Sequence, residues 1–464
     1  MALNRRDLLL AALSAPAFSV GGVARGGTGV GLSAEAVRDL LMPQIDPGRE
    51  SPGYVAAVID GGGIRLVPAG VSDAPDGRAL DGDSIFEIGS ITKVFTAVLL
   101  FDMVQRGEVA LTDPVALYLP PEGRPRAFDG KPMSLLDLVT YTSGLPRMPD
   151  NFRPMDQANP YADYSVSQLY EFVSSFAPQH YPGSHYEYAN LGFGLLGHAL
   201  ALRAGRSYED LVVERICEPL GLASTRITLT PEMQARLVPG HDTGLRRVPN
   251  WDLPTLAGAG ALRSCGHDLV RFLDAAQGRV ETSLAPAFGR LLEVRRQTDS
   301  ANVVAAAGWF VTTEHRDELV WKDGGTGGYA TFVGYSARSG VAALLLSDSR
   351  SYFSATALGR HLVNPAFPAP AEHHPIAVDP AILAGLAGRY PVLPSLTLTV
   401  FPKDGGLFVA QPGQGETEVF AESDTRFFYR EVDAQLTFEV GADGKATALV
   451  LHQNGRDRRA ARTP

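Results

Sequence analysis

The 464-residue sequence has little of several things that would narrow its class. Its only two cysteines, Cys217 and Cys265, are too few for a disulfide framework in a chain this long, and spacing alone does not pair them. No Cys/His cluster shows zinc-ligand spacing. The adjacent His373-His374 sits in a proline-rich stretch and reads as a solvated linker pair rather than a metal site. There is no basic surplus: a formal net charge of -10 excludes an ordinary nucleic-acid binder, which needs a positive face. No long run of like charge, no internal repeat and no Gly-x-Ser-x-Gly elbow occurs, so an α/β-hydrolase is disfavoured. Beyond the first residues no apolar run is long enough to span a bilayer, so no stable membrane span is expected once a signal is removed.

What remains is an ordinary globular composition, 45% apolar and 20% charged, in a length that admits two or three domains. Asn4-Arg5-Arg6-Asp7, the apolar Leu8–Leu13 and the small-residue site Ala15-Pro16-Ala17 make up a secretory signal over residues 1–30, with paired arginines of the twin-arginine kind. A periplasmic or secreted protein is expected. Residues 34–365 mix helical and strand patterns. Tyr54–Ile59 reads as a strand closed by Gly61-Gly62-Gly63, and Val94–Val104 as an apolar helix capped by Gly107. Gly328–Tyr335 and Val341–Ser347 read as neighbouring strands about the turn Arg338-Ser339-Gly340. Residues 366–380 form a Pro-rich linker. Residues 381–464 change texture: short strands at Leu396–Val400, Leu407–Gln411, Arg426–Tyr429, Gln435–Val440 and Ala446–His452 predict a small antiparallel β-barrel.

Three short segments carry chemistry. Ser90-Ile91-Thr92-Lys93 opens the apolar helix, and residues three apart share a helix face, so an amine reaches the serine oxygen. About one or two such spacings arise by chance in a chain this size, and Ser90 could simply cap the helix. A capping box, however, wants Glu or Gln where Lys93 stands, and a cation opposes the positive helix end. Burial and that helix end both favour a neutral amine able to take a proton. Tyr188-Ala189-Asn190 follows, with two side chains that project to the same side of an extended segment. Packing for Tyr188 and helix capping for Asn190 are the plainer readings, and His185 reads as structural. Lys322-Asp323-Gly324-Gly325 then precedes a strand, its glycines letting backbone run close beside a ligand.

Ser-x-x-Lys, Tyr-x-Asn and Lys-x-Gly in this order resemble the serine β-lactamases and penicillin-binding proteins. The Tyr-Ala-Asn form is most similar to the class C enzymes and their relatives: D-alanyl-D-alanine carboxypeptidases, D-aminopeptidases and family VIII esterases. Glu87–Ala97 and Leu135–Pro146 add to the likeness. The resemblance implies an α+β fold, in which an antiparallel sheet flanked by helices and an all-helical lobe hold the site between them. The final barrel is similar to lipocalin-like domains at the level of pattern.

By the same resemblance Ser90 is the nucleophile, Lys93 its proton acceptor and Tyr188 the group that protonates the leaving group and activates water. The choice between Lys93 and Tyr188 as acylation base stays open. Asn190, Lys322, Gly324 and Gly325 bind substrate, with the N–H groups of Ser90 and Gly325 facing the oxyanion. No metal or organic cofactor is needed. Relatives that bind substrate carboxylates usually carry Thr or Ser at the middle of the third motif, where this sequence has Asp323. A free carboxylate there would repel that of a penicillin or a D-alanyl terminus, unless it points away, is neutralised, or the substrate lacks the group. The first expectation is therefore a hydrolase of D-alanyl amides in cell-wall peptides with some reaction with β-lactams. A class C-type β-lactamase or a family VIII carboxylesterase comes next. A catalytically silent ligand-binding or scaffold protein is the reading of another class. The partner is a small molecule or peptidoglycan peptide, and oligomeric state leaves no mark in the sequence.

Overall fold

A computed structural model describes residues 29–45, 52–74, 77–393, 396–411, 415–453 and 456–463. The expected export signal, residues 1–30, lies almost wholly outside them. Among the described residues no helix is long and apolar enough to cross a membrane.

Eight antiparallel strands form the central sheet: β1 (Gly53–Asp60), β2 (Gly63–Gly70), β3 (Arg296–Gln297), β4 (Val303–Ala305), β5 (Phe310–Glu314), β6 (Asp317–Gly325), β7 (Ala330–Ser336) and β8 (Ala342–Ser347). Their order is β2-β1-β8-β7-β6-β5-β4-β3, so an early hairpin completes a sheet built mostly from the later chain. β1 is buried along its whole length because both faces are covered. Alternate side chains serve the two faces. Tyr54, Ala56 and Val58 pack with helices α1 (Ala34–Leu41) and α5 (Tyr352–Val363). Val55, Ala57 and Ile59 face α4 (Gly266–Ala276) and belong to the core that also holds α2 (Thr92–Gln105) and α3 (Asn190–Ala204).

The α2 helix is apolar all round, and every residue from Thr92 to Met103 is buried. A helix without a polar face must sit inside. It runs through the largest core, where Phe95 stacks on Phe272 at 4.2 Å. Truncating such a ring typically costs about 3–5 kcal/mol. Gly107, at φ +71, ends the helix, with Gly107 N–H donating to Val104 O and Glu108 N–H to Met103 O. The expected mixed fold with a helical lobe is present.

The final domain is an eight-stranded antiparallel meander from Gly388–Leu393 to Arg456–Ala461. A bridge between Arg389 and Thr463 draws its first and last strands together. Tyr390, Leu398, Val409, Leu436 and Leu449 fill the interior. Sequence pattern had indicated five of these strands. Gly388–Leu393 contains Pro391, which argues against a strand, and Glu416–Ala421 and Arg456–Ala461 are too polar to show one. Barrel strands tolerate this because their outer face meets solvent.

The proline-rich run is held against the protein rather than free. Phe367 is buried and Ile376 N–H donates to Ala421 O at 2.8 Å. His373 corrects the solvated-pair reading: it stacks on Phe428 at 4.2 Å and pairs with Glu422 at 2.7 Å, while His374 is exposed. Cys217 and Cys265 are free, buried thiols, pushed by burial up to about 12 and about 11.

Candidate active site

Ser90 occupies a single 3₁₀ turn, Gly89–Ile91, that leads into α2. No side chain caps α2, so the Ser90 hydroxyl is not spent on the helix end. It receives a hydrogen bond from Lys93 Nζ at 2.9 Å, as the three-residue spacing predicts. Lys93 Nζ also donates to Asn190 Oδ1 at 2.9 Å and to the carbonyl of Ala259 at 2.6 Å. Those two acceptors can take only N–H groups. When the amine is neutral, its lone pair therefore falls to Ser90, whose hydroxyl then becomes the donor. Lys93 has no exposed surface, and burial pulls its ammonium down to about 8, opposed by Tyr188 and helped by Lys322.

Tyr188 lies just before α3, and its phenol interacts electrostatically with Ser90, Lys93 and Lys322. Burial alone would raise the phenol. The ammonium groups of Lys322 and Lys93 outweigh burial and bring it to about 8. Both nitrogens lie 5.1 Å from the ring centroid. Tyr141 stacks on that ring at 5.2 Å and 18°, from a left-handed backbone at φ 59. Such a conformation costs a residue with a Cβ about 1–2 kcal/mol. Asn190 begins α3 but does not cap it. Its Oδ1 accepts from Lys93, and its Nδ2 donates to the Tyr161 hydroxyl at 3.1 Å.

The third segment is the end of β6. Lys322 is buried, with Nζ 4.8 Å from the Phe310 ring, and pairs with Asp323 Oδ1 at 2.8 Å. Thr356 Oγ1 also faces the Asp323 carboxylate, at 3.4 Å. Against burial, each partner holds the other charged: Lys322 stays above its ordinary value and Asp323 below its own. Of the three ways past the carboxylate clash, the structure contains neutralisation. Gly324 and Gly325 meet the Ser90 turn edge to edge. A Cβ on Gly324 would lie 2.0 Å from Ile88 O, and one on Gly89, at φ +48, would lie 2.5 Å from Gly325 N. Only glycine lets the two backbones approach this closely.

Ser90, Lys93, Tyr188, Asn190, Lys322, Gly324 and Gly325 thus come together around the Ser90 turn. His185 does not join them and packs at a tilt against His180, with ring centroids 4.4 Å apart. Sequence reasoning did not single out Tyr141, Tyr161, the Ala259 carbonyl or Arg147, whose Cζ lies 5.2 Å from the Tyr188 ring centroid. It also missed Trp251, which donates from Nε1 to Ala158 O at 3.0 Å and leaves a Cβ on Gly327 no room, at 2.6 Å. Tyr141 stands inside a stretch that carried the family likeness, which was its only signal.

A family model described as Beta-lactamase matches residues 41–363, and one described as a domain of unknown function (DUF3471) matches residues 372–462. The D-alanyl-D-alanine-carboxypeptidase/endopeptidase AmpH of Escherichia coli (strain K12) is 28% identical over 331 residues, 68% of this chain and 83% of that protein. Penicillin-binding protein 4 of Amycolatopsis lactamdurans is 28% identical over 369 residues, 73% of this chain and 93% of that one. The fold is shared with a class C β-lactamase from Rhodobacter sphaeroides, with a TM-score of 0.60 at 23% identity over 72% of this chain and 97% of that one. With the first family model spanning more than half of its length, the protein belongs to the β-lactamase family and is a serine hydrolase of that family.

Proposed function

We propose that the chain is an exported acyl hydrolase that acylates Ser90 and acts on D-alanyl amides of cell-wall peptides, with β-lactams as slower reactants. The observation that carries this reading is a fully buried Lys93 amine 2.9 Å from Ser90 Oγ, its ammonium pulled down to about 8 by burial. Relatives named as D-alanyl-D-alanine carboxypeptidase and penicillin-binding protein support the substrate class. The Arg5-Arg6 signal pattern agrees, because that substrate lies outside the cytoplasm.

In this mechanism Ser90 Oγ attacks the amide carbon while its proton passes to Lys93 Nζ or to the Tyr188 phenolate. The oxyanion is met by the N–H groups of Ser90 and Gly325, donors of a kind typically worth about 3–4 kcal/mol each. As the C–N bond breaks, Tyr188 delivers a proton to the departing amine. It then accepts one from the water that attacks the ester, and as the ester C–O bond breaks Ser90 Oγ takes back a proton from Lys93 or Tyr188. Asn190 keeps the Lys93 amine aimed and reaches toward substrate.

A carboxylesterase is the second reading, favoured by one observation. Asp323 occupies the Lys322 ammonium that would otherwise meet a substrate carboxylate. Parallel hydrolysis of a D-alanyl-D-alanine peptide, a chromogenic cephalosporin and a short-chain p-nitrophenyl ester separates the readings. The proposal expects the peptide to have the highest kcat/KM. Ester turnover without peptide turnover would leave the esterase.

A further inference from the structure

With Lys322 engaged by Asp323 at 2.8 Å, the site needs another group if it is to receive a substrate carboxylate. Arg147 stands where such a group is needed. It follows Leu145-Pro146 on the loop beside the second motif, and its carbonyl accepts from Leu191 N–H at 3.2 Å. That bond ties the loop to the first turn of α3, one residue past Asn190. The guanidinium carbon lies 5.2 Å from the Tyr188 ring centroid, over the same ring as Lys93 and Lys322.

The three cations differ in what they have left to give. Lys93 is buried, with its donors directed at Ser90, Asn190 and Ala259. Lys322 is buried and paired. Arg147 is exposed, and among the described residues no carboxylate lies within ion-pair distance of it. Its guanidinium presents a planar fork of N–H donors. That fork matches a carboxylate with two parallel hydrogen bonds, which a lysine ammonium cannot do.

We propose that Arg147 is a specificity-determining residue that recognises the substrate's carboxylate, the task from which Asp323 has withdrawn Lys322. The inference rests on the acyl-hydrolase reading above. In a D-alanyl-D-alanine substrate the carboxylate lies three bonds from the carbon that Ser90 attacks, on the leaving-group side. Tyr188 serves that same side, so an arginine over the Tyr188 ring is placed for it.

The test compares a diacetyl-lysyl-D-alanyl-D-alanine peptide with its C-terminal amide in the wild type, Arg147→Gln and Arg147→Lys. The wild type is expected to prefer the acid. Arg147→Gln is expected to reduce the acid-to-amide ratio of kcat/KM by about 10- to 100-fold, chiefly through KM, and Arg147→Lys to recover part of it. An unchanged ratio in Arg147→Gln overturns the proposal, even if both rates fall, because loss of a general field on Tyr188 affects acid and amide alike. If the wild type cleaves neither peptide, the substrate reading fails separately. The same ratio is then read from acylation of Ser90 by benzylpenicillin and by its methyl ester. A wild type that reacts with none of the four overturns both.

Discussion

The Ser90 oxygen sits between two groups, Lys93 and Tyr188, that both lose a proton near pH 8 for opposite reasons. Burial destabilises the ammonium of Lys93, while the charges of Lys322 and Lys93 overcome burial to stabilise the phenolate. Either group accepts a proton only in its deprotonated form, so acylation should rise as pH increases from 7 through about 8 and level off above it. Lys322→Gln removes the largest influence pulling the phenol down and a like charge near Lys93, so both groups then need higher pH. The rising limb of kcat/KM against pH should move upward, with about a tenfold loss at pH 7. Asp323→Thr should act differently: freeing the Lys322 ammonium is expected to raise the acylation rate by benzylpenicillin about tenfold, measured by quenched-flow mass spectrometry. The groups legible in the sequence were those whose partners are near in the chain, as Ser90 is to Lys93. The Ala259 carbonyl that completes the Lys93 shell lies 166 residues away, and no spacing rule reaches it. Arg147 was invisible for a related reason, since an exposed arginine after proline is ordinary until a tyrosine ring is seen beneath it.

At the level of elements, the site depends on two turns pressed together, the one carrying Ser90 and the end of β6. Gly89 combines a left-handed backbone with no room for a side chain beside Gly325. Gly89→Ala should therefore leave the fold intact at a cost of about 1–3 kcal/mol and separate the two proposed oxyanion donors. A fall of about 10²-fold in kcat with little change in KM is expected from steady-state kinetics. Retained kcat would mean that the two turns do not need their present spacing. The helix from Thr92 and the β7–β8 hairpin were readable because burial on all sides leaves unbroken apolar runs. Strands as short as Arg296–Gln297 and as charged as Arg456–Ala461 carry no such pattern.

For the whole molecule, the barrel does not hang from its linker. Arg430 is buried, lies 3.8 Å over the Phe420 ring and donates to Thr243 O in the catalytic domain. Arg246 reaches Glu418 at 2.7 Å, and Arg350 reaches Glu431 at 3.1 Å. The first two contacts grip the turn of the short hairpin of Gly240–His241 and Arg247–Val248, where His241 N–H donates to Gly328 O at 3.1 Å, beyond the third motif. Arg430→Ala should weaken docking by about 1.5–3 kcal/mol and speed proteolysis within residues 364–380. Unchanged cleavage would show that the barrel is held by other means. Sequence texture marked where this domain begins, whereas the docking rests on single arginines that composition does not distinguish.

The central claim is that Ser90 becomes acylated with help from a neighbouring base that ionises near pH 8. Intact mass and peptide mapping after timed exposure to a fluorophosphonate, across pH 6 to 10, test it directly. The expected result is one adduct, on Ser90, absent in Ser90→Ala and formed with a rate that climbs through about pH 8. An adduct elsewhere, or a rate on Ser90 that does not change with pH, would contradict it.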